Sequence, residues 1–227
     1  KGGMIMSGFR KKALNDVVRN NIFNQISKYI VLCCNTMSKE LLYFGKKLPN
    51  DENKIRNYLL RNYLDKNSFR RENNMMMFRF EPEVPENYNQ ETLVDEGRVD
   101  IKIINQKDSF NDNAAAYFVE CKRIDGEKQL NQRYVNNGIR RFVVSPPRYK
   151  SYYGKNFMLG FVVKLIDIEE NVKEIELIQQ SSNEIETING FEKNDKGFLN
   201  VYDCKYFMNN EIIELRNIFA DFSANID

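Results

Sequence analysis

Val99-Asp100-Ile101-Lys102-Ile103-Ile104 and Tyr117-Phe118-Val119-Glu120-Cys121-Lys122 are the two stretches on which the reading of this chain turns. Both are rich in β-branched and aromatic residues and read as strands, and the polar stretch Asn105 to Asn113 between them is a natural hairpin loop. Side chains alternate across a strand, so Glu120 and Lys122 project from one face while Val119 and Cys121 project from the other. Asp100 stands twenty positions before Glu120, on the neighbouring strand. Two carboxylates and one ammonium can therefore meet at one point. The second strand is apolar except at Glu120 and Lys122, and ionisable groups in such a strand are either an ion pair at a half-exposed end or a site.

The physical demand that fits the second case is metal-assisted phosphodiester hydrolysis. Hard carboxylate oxygens suit Mg²⁺, with Mn²⁺ as a substitute, and a nearby cation can stabilise an attacking hydroxide or developing phosphorane charge. The bare pattern of acid, gap, acid-x-Lys has low specificity, and the chain supplies its own controls. Glu52-Asn53-Lys54 falls on an expected helix, and Asp203-Cys204-Lys205 lacks a preceding strand with an acid at the right distance. The chain contains no histidine, which excludes Ser-His-Asp hydrolysis, Cys-His proteolysis and histidine-based metallonucleases. The four cysteines form no CxxC pair, so a structural zinc is not expected, and Cys33-Cys34 beside Val31 and Leu32 reads as apolar packing.

Outward from this pair, Ala13 to Ile30 repeats apolar residues at helical intervals through Leu14, Val17, Val18, Ile22, Phe23, Ile26 and Ile30. A second helix starts at Asn50-Asp51, with either residue as N-cap, and carries Ile55, Leu59 and Tyr63 on one face to about Leu64. Lys39 to Phe44 is ambiguous. Asn74 to Phe80, Arg141 to Val144, Phe157 to Leu165 and Glu174 to Gln179 read as further strands. Glu127 to Asn137 reads as a helix stopped by Gly138, and Asn210 to Phe222 as a terminal helix striped by Ile212, Leu215, Phe219 and Phe222. The sum is an α/β protein, a central mixed β-sheet flanked by helices, in one domain over 1–227 with a basic helical part (about 1–72) and a sheet-containing core (about 73–227).

Residues 1–72 hold fifteen Lys/Arg against six Asp/Glu, while the whole chain nets only +2. A basic first third joined to an acidic remainder suggests a polyanion-binding surface beside a carboxylate-rich core; solvated helix faces are the plainer reading of clusters such as Arg10-Lys11-Lys12 or Arg70-Arg71. No apolar run reaches the length of a membrane span, and no secretory h-region follows the first residues, so a cytoplasmic protein is expected.

Gly97-Arg98-Val99-Asp100-Ile101 followed by Phe118-Val119-Glu120-Cys121-Lys122-Arg123 resembles the core of the PD-(D/E)XK, or restriction-endonuclease-like, nuclease superfamily, over roughly residues 50–145. The resemblance implies a mixed sheet flanked by helices, Mg²⁺-dependent cleavage of DNA phosphodiesters and frequent homodimers. By position it makes Asp100 and Glu120 metal ligands and Lys122 the residue that positions or activates water. Glu52, in the first turn of its helix, matches a place where many members carry an additional metal-binding acid; a first-turn glutamate favoured by the helix dipole is the plainer account. Gln132 matches the polar residue of the helix after the catalytic strand, with Gln129 and Tyr134 as competitors. The family's proline before Asp100 is missing. Arg140, Arg141, Arg148 and Lys150 are candidates for phosphate contacts.

Two carboxylates would hold Lys122 protonated, which makes it a poor general base before metal binds and favours a role in orienting the nucleophile. The expected activity is that of a Mg²⁺-dependent endodeoxyribonuclease in restriction or antiphage defence, with a partner protein or activating ligand left open. A structure-selective repair or recombination nuclease shares the chemistry, and a catalytically silent nucleic-acid-binding or interaction module shares the fold.

Overall fold

The computed structural model of the chain describes residues 6–89, 94–110, 112, 114–194 and 200–227, with side chains described from 16 to 85 and again from 97. Three helices come first: α1 (Met6–Tyr43), α2 (Glu52–Leu59), prolonged by a wider π-helical turn through Leu64, and α3 (Asn67–Glu72). Strands β1 (Phe78–Asn89) and β2 (Val94–Asn105) follow, then the single turn α4 (Gln106–Ser109) and strand β3 (Ala116–Ile124). Helix α5 (Lys128–Tyr134) runs through a π-helical turn (Val135–Ile139) into α6 (Arg140–Val143). The rest is β4 (Lys155–Val162), α7 (Ile168–Gln180), β5 (Thr187–Lys193), β6 (Val201–Met208) and β7 (Glu211–Asp221).

The strands form one seven-stranded sheet in the order β1-β2-β3-β4-β7-β6-β5. β1, β2 and β3 are an antiparallel meander, β3, β4 and β7 are parallel, and β7, β6 and β5 are again antiparallel. The mixed sheet flanked by helices is the architecture read from the sequence. One face is covered by α1 to α3, which bring Phe23, Ile26, Ile30 and Leu59 onto Phe80, Ile101, Val119 and Leu159. The other is covered by α5 to α7, where Tyr134, Ile139, Phe142 and Ile175 pack with Phe118, Met158 and Leu215. Each such fully buried side chain stabilises the fold by roughly 1.5–3 kcal/mol relative to exposure. Cys33 and Cys34 are free thiols in the first core, as apolar packing requires.

Four expected elements differ. The stretch Asn210 to Phe222 is strand β7, not a helix. β7 is central and buried on both faces, so apolar residues stand at odd and even positions alike, and the helical stripe was one subset of them: Ile213 is buried while Ile212 is exposed. Glu174 to Gln179 is helix α7 rather than strand, because its buried face is Asn171, Val172, Ile175 and Gln179 at three- and four-residue spacing, and the Asp167 side chain caps it by accepting from the Glu170 N–H. Arg141 to Val144 is not a strand: helix α6 runs to Val143, with Val144 as the extended residue after it. Gly138 does not stop a helix; it sits in the π-helical turn, buried, where an added Cβ would strike the Met158 methyl and lie 3.6 Å from Lys122 Cγ. Smaller differences are the longer α1, which takes in the ambiguous Lys39 to Tyr43, β1 beginning at Phe78, and the turn α4 inside the expected hairpin loop, whose positions 111 and 113 lie outside the described residues. The Arg10-Lys11-Lys12 and Leu14 side chains also lie outside them.

Candidate active site at the splayed β2–β3 edge

The β2–β3 ladder pairs Ile104 with Ala116 through Ile101 with Val119. Beyond that point β2 stays with β1, β3 continues along β4, and the two strands part. Parting leaves amides of β3 without a strand to accept from them, and buried N–H groups must find acceptors. Carboxylates supply these. Asp100 Oδ2 accepts from the Cys121 N–H at 2.8 Å, and Glu52 Oε2, reaching across from the start of α2, accepts from the Arg123 N–H at 3.1 Å. The divergence of the strands thus makes the cleft and recruits two of the three sequence-named acids to its floor.

Glu120 comes from β3 itself and is 0% exposed. As alternation requires, it shares a face with Lys122, whose Nζ donates to Glu120 Oε1 at 2.7 Å, to Glu52 Oε1 at 3.2 Å and to the Cys121 carbonyl at 2.6 Å. The same Nζ lies 3.9 Å from Asp100 Oδ2. Asp100, Glu120 and Glu52, drawn from β2, β3 and α2, therefore converge on one ammonium. Their meeting place opens into a cavity of about 500 Å³ that is also lined by Asn53, Arg56, Gly97, Arg98, Arg141 and Arg148.

Asp100 and Glu120 each have further side-chain partners whose pairing sequence reasoning did not foresee. Arg56, one turn after Glu52 on α2 and only 2% exposed, donates through Nη1 to Asp100 Oδ1 and through Nη2 to Glu83 Oε1, both at 2.6 Å. Its i, i+4 spacing from Glu52, on a helix whose other inward residues are Ile55 and Leu59, was the available signal. Arg141 donates from Nη1 to Glu120 Oε1 at 2.5 Å and to the Tyr149 hydroxyl at 2.8 Å. That hydroxyl lies 2.7 Å from the Arg98 carbonyl oxygen and 3.1 Å from Glu120 Oε2. Tyr149 is thus a wedge between the parted strands, and Gly97 lets it in: an added Cβ there would stand 3.1 Å from both Tyr149 Cε1 and Arg148 Cγ.

Burial and the neighbouring Asp100 carboxylate push the Glu120 acid up to about 7, against the opposing pull of Lys122 and Arg141. For Lys122, burial acts to lower the ammonium's pKa, but Glu120, Glu52 and Asp100 together raise it above the ordinary lysine value. As the side chains stand, Lys122 is thus held as an ammonium that donates to Glu120 and Glu52. The hydrogen bond from Arg56 holds Glu83 below the usual carboxylate range.

Gln132 does not join this group. It is exposed and lines a separate cavity with Asn131 and Glu174, while Gln129 is exposed on the same helix. Tyr134 is buried, donating to Asn217 Oδ1 at 2.9 Å and stacking on Phe219. The helix after β3 reaches the site through Arg141 instead, beyond the π-helical turn; one extra residue in such a turn rotates everything after it by about 100°. Of the other basic candidates, Arg148 lines the cleft, Arg140 pairs with Glu184, and Arg70 is a structural ligand of the Phe78 carbonyl at 2.5 Å. The control motif resolves as a structural ion pair: Asp203 accepts from Arg216 Nε at 2.6 Å and Nη2 at 2.9 Å.

Hard oxygen donors at the foot of an open cleft fit a divalent cation chemically, and Lys122 Nζ marks where their field converges. As the side chains stand, no group of three His, Cys, Asp or Glu among the described residues is arranged to hold a metal ion. Lys122 stands between them, so metal binding by Glu52, Asp100 and Glu120 requires the ammonium to withdraw. Among the described residues no helix is long and apolar enough to cross a membrane. No protein-family model, curated protein or solved structure matches this chain. The class that fold and site define is an α/β protein with an acid–acid–lysine cluster at the splayed edge of a mixed sheet.

Proposed function

We propose that this protein is a metal-dependent nuclease of the PD-(D/E)XK type that hydrolyses DNA phosphodiester bonds, with Mg²⁺ as its cofactor and Mn²⁺ as a substitute. The observation that carries the reading is the convergence of Glu52, Asp100 and Glu120 on the Lys122 ammonium inside a cleft walled by arginines. Ordinary structural ion pairs do not need three acids from three elements around one lysine, and buried carboxylates with displaced pKa values gather at functional sites. The resemblance of Gly97 to Ile101 and Phe118 to Arg123 to that superfamily's core supports the same assignment.

In this reading Asp100, Glu120 and Glu52 hold the divalent cation. When bound, it polarises the phosphate and lowers the pKa of water. Lys122, displaced from between the acids, orients the nucleophile by hydrogen bonding and stabilises the extra negative charge of the pentacoordinate phosphorus. Arg98 and Arg148 on the cleft wall bind the phosphodiester backbone. Restriction or antiphage defence in the cytoplasm, by a homodimer cutting both strands, is the setting we infer for such an activity. A binding-only module of the same fold is favoured by one fact: each carboxylate already has a basic side chain or main-chain donor of its own. Labelled duplex, branched and single-stranded DNA and RNA, incubated with Mg²⁺ or EDTA, separate these readings. Metal-dependent cleavage of DNA supports the nuclease; tight binding of DNA with no cleavage under any divalent cation supports the module.

A further inference from the structure

Arg141 is bonded in an incomplete way for a permanent structural ion pair. Guanidinium–carboxylate pairs built for stability are commonly two-pronged, each of two nitrogens meeting an oxygen. Arg141 uses Nη1 alone, spreading it over Glu120 Oε1 and the Tyr149 hydroxyl. Its Nε is buried and has no hydrogen-bond partner. A buried, unsatisfied donor is costly, and the cost is removed in any state that brings an acceptor to it. The side chain nevertheless lines the cleft and is partly exposed there. An acceptor entering from the cleft meets a guanidinium whose Nη2 carries no hydrogen bond among the described residues, with Nε beside it open to an acceptor if the side chain turns outward, and the group whose geometry matches two adjacent guanidinium nitrogens is an oxyanion such as a phosphodiester.

The carboxylate that now occupies Nη1 is also one the site would commit to a cation. A divalent ion on Glu120 competes with Arg141 for the same Oε1 lone pairs and repels the guanidinium. We propose that Arg141 is a substrate-phosphate ligand held on Glu120 in the free protein and transferred to a nonbridging phosphate oxygen when the cation binds. The proposal rests on the reading of this cleft as a phosphodiesterase site and adds a regulatory property to it: cation and nucleic acid bind with positive coupling through the exchange of one arginine's partners. By linkage the coupling is reciprocal, so each ligand tightens the other by the same factor.

The test uses Ca²⁺ as a non-hydrolysing probe cation and a fluorescein-labelled DNA duplex, with wild type, Arg141→Met and Arg141→Lys compared by fluorescence anisotropy in Ca²⁺ and in EDTA. Circular dichroism establishes that each variant is folded; if Arg141→Met is not, Arg141→Lys carries the comparison, since it keeps the charge and loses the planar fork. The proposal requires Ca²⁺ to tighten DNA binding to the wild type by about tenfold or more, and the substitution to remove most of that gain with little effect in EDTA. It also requires calorimetric Ca²⁺ affinity of the DNA-free protein to be equal to or tighter than that of the wild type in Arg141→Met, where the competitor for Glu120 has gone, and no weaker in Arg141→Lys, where the charge remains. A purely structural role would instead weaken Ca²⁺ binding, and that result overturns the proposal. An unchanged Ca²⁺-dependent gain in DNA affinity in the variant also overturns it, while the nuclease reading survives. Failure of the wild type to bind Ca²⁺ at all, with or without DNA, removes the reading and the proposal together.

Discussion

Lys122→Met is the perturbation that most sharply separates a cation site from a structural ion pair. Methionine keeps the length and apolar stem of the side chain and removes the charge that three acids share. Glu120 would retain Arg141 and the neighbouring Tyr149, Asp100 would retain Arg56 and the Cys121 N–H, and Glu52 would retain the Arg123 N–H. Removing one partner of a buried pair commonly costs about 3–5 kcal/mol, and the surviving partners place this case lower, at about 2–3 kcal/mol. The loss should be recoverable, since a divalent cation can occupy the vacated centre of charge. Thermal melts of wild type and variant in EDTA and across a Mg²⁺ series, followed by circular dichroism, read both quantities. In EDTA the variant should melt several degrees lower, and Mg²⁺ should raise its Tm by more than it raises that of the wild type, because binding no longer requires an ammonium to leave. A variant that stays destabilised at every Mg²⁺ concentration, or a larger Mg²⁺ effect on the wild type, refutes the idea that Lys122 stands at the cation's place.

Other consequences are measurable in the same preparations. The Glu120 acid is raised to about 7 in the folded protein, so the folded state binds more protons than the unfolded chain between the ordinary glutamate range near 4.5 and about 7. Stability in EDTA should therefore fall as pH rises through that window and level off above it. Glu120→Gln should flatten the slope in urea titrations, and a slope unchanged in the variant assigns it elsewhere. Cation affinity by calorimetry should run the other way, strengthening up to about pH 7 with proton release, since the metal takes the ionised acid. Gly97→Ala should cost about 1–3 kcal/mol in chemical denaturation by crowding Tyr149 and Arg148 against β2; no loss means that the wedge accommodates a methyl group. Arg56→Met should destabilise by about 3 kcal/mol, leaving Asp100 with its Cys121 bond and Glu83 with its salt bridge to Arg98, and a neutral result would show these to suffice.

The legible part of this molecule was local. Period-two alternation placed Glu120 and Lys122 on one face of β3, and the Asn50-Asp51 capping signal, resolved as Asp51, placed Glu52 at the start of α2, because both follow from backbone geometry within a few residues. The sheet's far half was misread in part where the local signal is degenerate. β7, buried on both faces, offers apolar residues to any period, and the Glu/Ile/Leu alternation of α7 imitates a strand although Leu177 faces solvent. Arg56 and Tyr149 escaped, and Arg141 was named only for phosphate and not as the partner of Glu120, because these roles depend on where β2 and β3 part, and the sequence of neither strand marks the end of pairing at Ile101 and Val119. Gly138 looked like a helix stop; what fixes it is the Met158 and Lys122 side chains beneath it, a tertiary contact.

The most direct measurement is the rate of supercoiled plasmid nicking by the purified protein in Mg²⁺, Mn²⁺ and EDTA, with Glu120→Gln and Asp100→Asn assayed beside the wild type. The account predicts nicking that needs the divalent cation and falls by at least about a hundredfold in either variant, with circular dichroism unchanged. Cleavage that persists in EDTA, or that both variants retain at the wild-type rate, would contradict it.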